Sequence, residues 1–180
     1  MKVTTTNISG LCIIEPVCYK DDRGYFMETY RHEKLIDTPV GDTTFVQDNE
    51  SYSTYGVIRG LHYQDEPHAQ AKLIRVFQGT IFDVAVDLRP NSPTWGQWFG
   101  VELSFENKKS FFIPRGFAHG FCVLSPHSLI GYKCDNYYNA ACSKSVAFDD
   151  PDLDIPWPIP QDKRIISKND LNGPSLHSLK

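Results

Sequence analysis

Apolar and polar positions alternate with a period of two along most of this chain, the signature of half-buried strands. Residues 80–88 show it best. Phe82, Val84, Val86 and Leu88 share one face, and Ile81, Asp83, Ala85 and Asp87 share the other. An aspartate in mid-strand, on a face of small residues, predicts a face that lines a wet cavity. Residues 24–30 alternate similarly. Short runs at 11–14, 44–49, 58–64, 71–77, 98–104, 110–113, 118–124 and 129–134 read as further strands. Turn residues punctuate them, as at Asp21-Asp22-Arg23-Gly24, Gln78-Gly79 and Pro114-Arg115-Gly116. Residues 51–56 read as a loop and residues 32–36 as a single helical turn. The proline- and aspartate-rich stretch 149–160 reads as an ordered loop wrapped on the body. No amphipathic helix is long enough to serve as a crossover, so a parallel α/β sheet is excluded. The expected fold is all-β: a double-sheet jelly roll with short helical pieces, whose inter-sheet cavity is a natural small-molecule site.

Length and composition narrow the function. At 180 residues the chain reads as one domain, 1–180, around one core. A formal net charge of −4 and the lack of any basic run exclude bulk nucleic-acid binding, although local arginines can still hold a phosphate-bearing small ligand. The five cysteines are odd in number and form no C-x-x-C pair, which suits reduced thiols and a cytoplasmic location. The N-terminus carries no apolar run of signal-peptide or membrane-span length, so no membrane association is expected.

The chemistry starts at Ile58-Arg59-Gly60-Leu61-His62-Tyr63-Gln64. A fixed cation, a glycine and a histidine fall within four residues. Arginine does not ligate metals, and a phenol and an amide follow His62. The combination suits an anionic substrate held beside a proton-transfer base. The plain alternative is a strand histidine with a satisfied hydrogen bond and a surface arginine.

Further blocks give this stretch its context: Lys72-Leu73-Ile74-Arg75-Val76, Phe82-Asp83-Val84-Ala85-Val86-Asp87, Ser92-Pro93-Thr94, residues 113–121, Tyr132-Lys133, Asp149-Asp150-Pro151, Trp157-Pro158 and residues 167–170. Together with residues 59–64 the chain resembles the dTDP-4-dehydrorhamnose 3,5-epimerase family from about Leu11 to Asp170. The resemblance implies a cupin-type double-stranded β-helix, a homodimer, no metal and no organic cofactor. It implies a dTDP-linked 4-keto-6-deoxy sugar as substrate, epimerised at C3 and C5 on the route to dTDP-L-rhamnose.

Inverting a carbon next to a ketone requires a base on one face, an acid on the other, and a cation or donor at the enolate oxygen. His62 suits the base, Tyr132 the acid and Lys72 the enolate oxygen. By resemblance Asp170 orients His62, and Asp83 is a second carboxylate able to do so. Each has a plainer reading: a backbone-bonded strand tyrosine, a snorkelling surface lysine, a solvated tail aspartate. His119 holds substrate, supports His62 through a polar network, or is a satisfied core histidine. By resemblance Arg23, Arg59, Gln47 and Asn49 hold the diphosphate and nearby groups, Glu28 accepts from the thymine N–H, and Phe26 or Tyr138 stacks on the base. Lys168 belongs to the same nucleotide site, part of which comes from the partner subunit. Plainer readings are a solvated turn for Arg23 and loop capping for Gln47 and Asn49. The chain departs from the family pattern at Asn169, where lysine is frequent, and in 139–143, where Ser143 falls in a segment that often carries a carboxylate. Both departures bear on nucleotide contacts. Alternative readings are a C3-only epimerase, a metal-dependent cupin, and a sugar-binding module. The metal reading lacks the H-x-H pattern, since His62-Tyr63-Gln64 supplies no second ligand.

Overall fold

The computed structural model describes residues 1–179 and is built almost wholly from strands. One six-stranded antiparallel sheet contains β1 (Lys2–Thr5), β2 (Cys12–Glu15), β5 (Gln47–Thr54), β7 (Lys72–Gln78), β10 (Ser110–Ile113) and β12 (His127–Cys134), in the order β1-β2-β10-β7-β12-β5. The facing sheet contains β6 (Val57–Gln64), β8 (Thr80–Asp87), β9 (Trp98–Ser104), β11 (Phe117–Val123) and β13 (Ser143–Ser145), in the order β13-β6-β11-β8-β9. A short β14 (Ile165–Ile166) adds to β6 in parallel. The strands β3 (Cys18–Asp21) and β4 (Gly24–Met27) form a separate ribbon. The helical pieces are one four-residue helix, α1 (Lys168–Leu171), and three 3-10 turns, the first at His32–Lys34. The expected jelly roll is therefore present.

Alternation fills the space between the sheets. Ile74, Val76, Phe111, Ile113 and Ile130 from one sheet meet Ile81, Ala85, Leu103, Phe121 and Val123 from the other. Burying a side chain of this size stabilises by about 1.5–3 kcal/mol before chain entropy is counted. The outer face of the second sheet is also covered. Phe148, Leu153, Ile155, Trp157 and Ile159 pack on Ile58, Val84, Val86, Ala118 and Cys122. The stretch 149–160 thus wraps the body, as its composition suggested. Leu35 and Val40 cover Cys12, Ile14, Leu73 and Phe112 on the first sheet.

Three readings of the sequence need correction. Of residues 51–56 only Tyr55 and Gly56 form a turn, because β5 runs through Thr54 and pairs with β12 along its whole length. The 24–30 strand stops at Met27, and its ribbon is largely solvent-facing rather than half buried. The face of Ile81, Asp83, Ala85 and Asp87 does not line a wet cavity. Ile81 and Ala85 are core, and Asp87 is fully buried under bonds from Arg89, Ser92 and Thr94. Those bonds outweigh burial and hold its carboxyl at about 2.

Two glycines bring β6 and β11 unusually close. Gly60 sits at φ +125°, and a Cβ there would lie 2.5 Å from Gly120 Cα and 2.7 Å from His119 O. A Cβ on Gly120 would lie 2.8 Å from Arg59 O. This approach sets His62 beside His119, its cross-strand partner, next to an irregularity in the ladder between His119 and Phe121.

Candidate functional site

At one end of the sandwich the apolar filling gives way to polar side chains. His62 and Arg59 come from β6, His119 and Phe121 from β11, Lys72 from β7, Tyr132 from β12, and Glu50, Ser51 and Tyr52 from β5. They enclose a cavity of about 430 Å³. Histidines therefore stand on one sheet, and Lys72 and Tyr132 on the other. A second hollow of about 450 Å³ shares His62, Lys72 and Tyr132 and continues past Gln47, Asn49, Gln70 and Tyr138. A third, of about 590 Å³, shares Arg59 and His62 and runs along β13, β14 and Asp170. His62 is common to all three.

Asp170 is buried, and its Oδ1 stands 2.7 Å from His62 Nε2. The other oxygen accepts from Gly60 N at 3.4 Å. Its position follows from local structure. Ser167 caps α1 by accepting from the Asp170 backbone N–H at 3.1 Å, and β14 ties the preceding residues to β6. The reading of Asp170 as a solvated tail residue is thereby excluded. Asp83, the alternative orienter of His62, instead stands 2.9 and 3.1 Å from His119 Nε2. His119 is thus a buried, partnered histidine that also reaches the cavity wall.

Enclosure acts on the titrating groups in opposite senses. Burial raises the Tyr132 phenol above its usual value, helped by Cys134 and opposed by Arg59, so it keeps its proton. Burial lowers the Lys72 ammonium, with Cys134 and Asp83 opposing the shift. Burial lowers His119 too, against Asp83 and with Lys72 and His62. The set holds a phenol that keeps its proton and a buried lysine whose charged form is poorly hydrated.

Around the second hollow a bonded chain fixes the wall. Tyr138 N donates to Gln47 Oε1 at 2.9 Å, Gln47 Nε2 to Asn49 Oδ1 at 3.0 Å, and Asn49 Nδ2 to Cys134 Sγ at 3.7 Å. The Tyr138 ring is largely exposed at the rim, open to a stacking partner. Arg59 Nε donates to Ser53 Oγ at 3.0 Å, leaving the outer guanidinium nitrogens for an anion. Lys168 is exposed on α1, two residues before Asp170.

Four predicted residues do not join this group: Lys168, which lines none of the three hollows, and three from one region of the chain. Arg23, Phe26 and Glu28 lie on or just after the β3–β4 ribbon and line none of the hollows that contain His62. Arg23 is paired with Asp21, Glu28 with Lys34 and Arg31, and Phe26 is 71% exposed. Sequence reasoning missed Ser53, Ser167 and Cys134. The spacing Ser167-Lys168-Asn169-Asp170 before a short helix is a capping pattern and signals Ser167. Nothing local marks Ser53 or Cys134. Among the described residues no three His, Cys, Asp or Glu side chains converge as a metal-binding group.

The family model described as dTDP-4-dehydrorhamnose 3,5-epimerase matches residues 5–178. The dTDP-4-dehydrorhamnose 3,5-epimerase of Methanothermobacter thermautotrophicus is 52% identical over 172 residues, 95% of this chain and 92% of that protein. The crystal structure of the Elizabethkingia anophelis enzyme of that name superposes with a TM-score of 0.95 at 50% identity, covering 99% of this chain and 97% of that one. A Legionella pneumophila epimerase, solved in complex with dTDP-4-keto-L-rhamnose, superposes at 0.94 with 45% identity, covering 99% and 94%.

Because burial lowers the Lys72 ammonium, Lys72 should lose its proton at a lower pH than the ordinary lysine value of about 10.4. Heteronuclear NMR of the lysine ε-methylene groups checks this. A Lys72 signal that titrates with the surface lysines contradicts the enclosure described here.

Proposed function

The chain belongs to the dTDP-4-dehydrorhamnose 3,5-epimerase family and is an isomerase, and from that premise we propose how its own residues divide the work. The reaction converts dTDP-4-dehydro-6-deoxy-D-glucose to dTDP-4-dehydro-L-rhamnose, by inversion at C3 and C5 on either side of a ketone. The observation that supports the assignment is the placement of His62 and Tyr132 on opposite sheets, facing one cavity.

His62 is the base. Its Nε2 meets Asp170, so Nε2 carries the N–H that donates to that carboxylate and Nδ1 carries the lone pair. Removing a proton gives imidazolium, and Asp170 offsets its charge. The ketone acidifies C3–H and C5–H because the electron pair moves onto the C4 oxygen. Lys72 stabilises that oxygen as it becomes negative. Tyr132, held protonated by burial, returns a proton from the opposite wall, and the carbon inverts. One base and one acid serve both carbons when the sugar presents each in turn.

The nucleotide lies along the second hollow. There Gln47 and Asn49 bond nearby groups and Tyr138 stacks on the base, while Arg59, which lines the two other hollows, holds a phosphate and Lys168 adds positive charge from the exposed side of α1. Arg23, Phe26 and Glu28 act in the site of a second copy of the chain. Two observations support a homodimer. The ribbon that carries Arg23 and Phe26 is exposed and aromatic, with Tyr19, Tyr25 and Phe26 open to solvent. On the outer face of the first sheet, Arg75 Nε is buried without a hydrogen-bond partner beside the partly exposed Phe77. A covering subunit would satisfy both. No helix among the described residues is long and apolar enough to cross a membrane. The five free cysteines support a reducing, cytoplasmic setting.

Turnover of the keto sugar in D₂O should place deuterium at both C3 and C5 of the product, read by NMR and mass spectrometry. Label at C3 alone would reduce the reading to a single-site epimerase, and no label at either carbon would overturn it. Analytical ultracentrifugation should give a dimer, whereas a monomer at assay concentration would remove the shared nucleotide site.

A further inference from the structure

The steps above use one buried carboxylate, Asp170. A second, Asp83, has no role in them. It lies on β8 with no exposure at all, on the face whose neighbours Ile81 and Ala85 fill the core. Burying a carboxylate there is expensive, and an apolar residue would pack the position at less cost. Asp83 is bonded by one side chain, with both oxygens within 3.1 Å of His119 Nε2.

Burial, Lys72 and His62 act together against a charged His119, with Asp83 opposing them, so the ring is neutral and carries one N–H. A carboxylate only accepts, so that N–H is on Nε2. Nδ1 then holds a lone pair, and no hydrogen bond among the described residues uses it. The ring forms part of the cavity wall with Lys72, His62 and Tyr132. Other charged groups lining the same cavity are Arg59 from β6 and Glu50 from β5; Cys134 from β12 acts on Lys72, and Asp170 from α1 bonds His62.

We propose that Asp83 is a positioning residue: it locks His119 in the Nε2–H form, so that Nδ1 offers an acceptor to a sugar hydroxyl next to the ketone and leaves Lys72 free for the ketone oxygen. The pairing divides the wall into one acceptor and one cation. With the opposite tautomer the wall would present two donors, and a hydroxyl could compete with the ketone for Lys72. The inference deepens the epimerase reading and rests on it for its kinetic arm alone.

Two measurements test it. Long-range ¹H–¹⁵N correlation on histidine-labelled wild-type protein at pH 7 should show His119 protonated at Nε2 only. Asp83→Asn can turn its amide N–H toward Nε2 and populate the Nδ1–H form. It should lower kcat by about tenfold or more while KM moves by less than about threefold, since the nucleotide contacts are untouched. A wild-type ring protonated at Nδ1, alone or at both nitrogens, overturns the inference. So does an Asp83→Asn protein that keeps the Nε2–H form or keeps kcat within about twofold of wild type. If Asp83→Asn does not fold, the wild-type spectrum decides alone. A wild-type protein inactive on the keto sugar counts against the epimerase reading, while the spectrum still decides the role of Asp83.

Discussion

The contact between His62 and Asp170, 2.7 Å across 108 residues of chain, is the constraint on which the site depends. A strand histidine open to solvent on one side is a poorly oriented base until something fixes its ring and its tautomer. Asp170 holds the ring through Nε2, and the stretch from Phe148 to Ser167 brings it there. Leu153, Ile155, Trp157 and Ile159 bury the tail against the outer face of the second sheet. Trp157 Nε1 donates to Phe148 O and Trp98 Nε1 to Leu153 O, which pins the wrap at two points. β14 then aligns with β6, and Ser167 caps the single turn that aims Asp170 inward. In the proposed mechanism the tail is thus part of the proton-transfer apparatus, although it carries Asp170 alone among the acting groups.

The same economy governs the cavity. Each enclosed group is pushed by desolvation toward its neutral form, and in this set that is useful twice. A phenol that keeps its proton can donate it, and a neutral imidazole can accept a hydrogen bond. Lys72 is the exception that must stay charged. Burial lowers its pKa while Cys134 and Asp83 oppose the shift, and in its charged form the thinly solvated ammonium interacts strongly with an oxyanion. The two-sheet architecture adds the geometry. His62 and Tyr132 belong to different sheets, so a sugar held between them would meet one on each face.

Much of this is legible in the sequence, for identifiable reasons. Strands whose inner faces are apolar, such as β7, β8 and β12, announce themselves by alternation. β5 does not, because its inward residues include Gln47, Asn49 and Ser51, which line the cavities instead of the core. Function thus erased the pattern that would have revealed the strand, and 51–56 read as a loop. β13, all polar, was hidden for the same reason. His62, Lys72 and Tyr132 stand out in the sequence because their residue types match the chemistry of an enolate and they fall in blocks that resemble the family, and the fold brings them to one cavity. The partner of Asp83 could not be assigned. Asp83 and His119 lie on neighbouring strands, and only the register, which sets Phe121 opposite Asp83 and His119 opposite Ala85, makes His119 rather than His62 its neighbour. Arg23, Phe26 and Glu28 carry the right chemistry on a ribbon that leaves this chain's own cavity untouched, a separation that no single-chain pattern encodes.

The most direct test of two-sided proton transfer separates removal from return. Tyr132→Phe keeps the base and loses the acid. Incubated in D₂O with the keto sugar, it should exchange a ring proton next to the ketone through His62 and return the label to the face it left, giving labelled substrate without epimerised product. Epimerised product formed at the wild-type rate would contradict the account, because the second proton would then come from a group other than Tyr132.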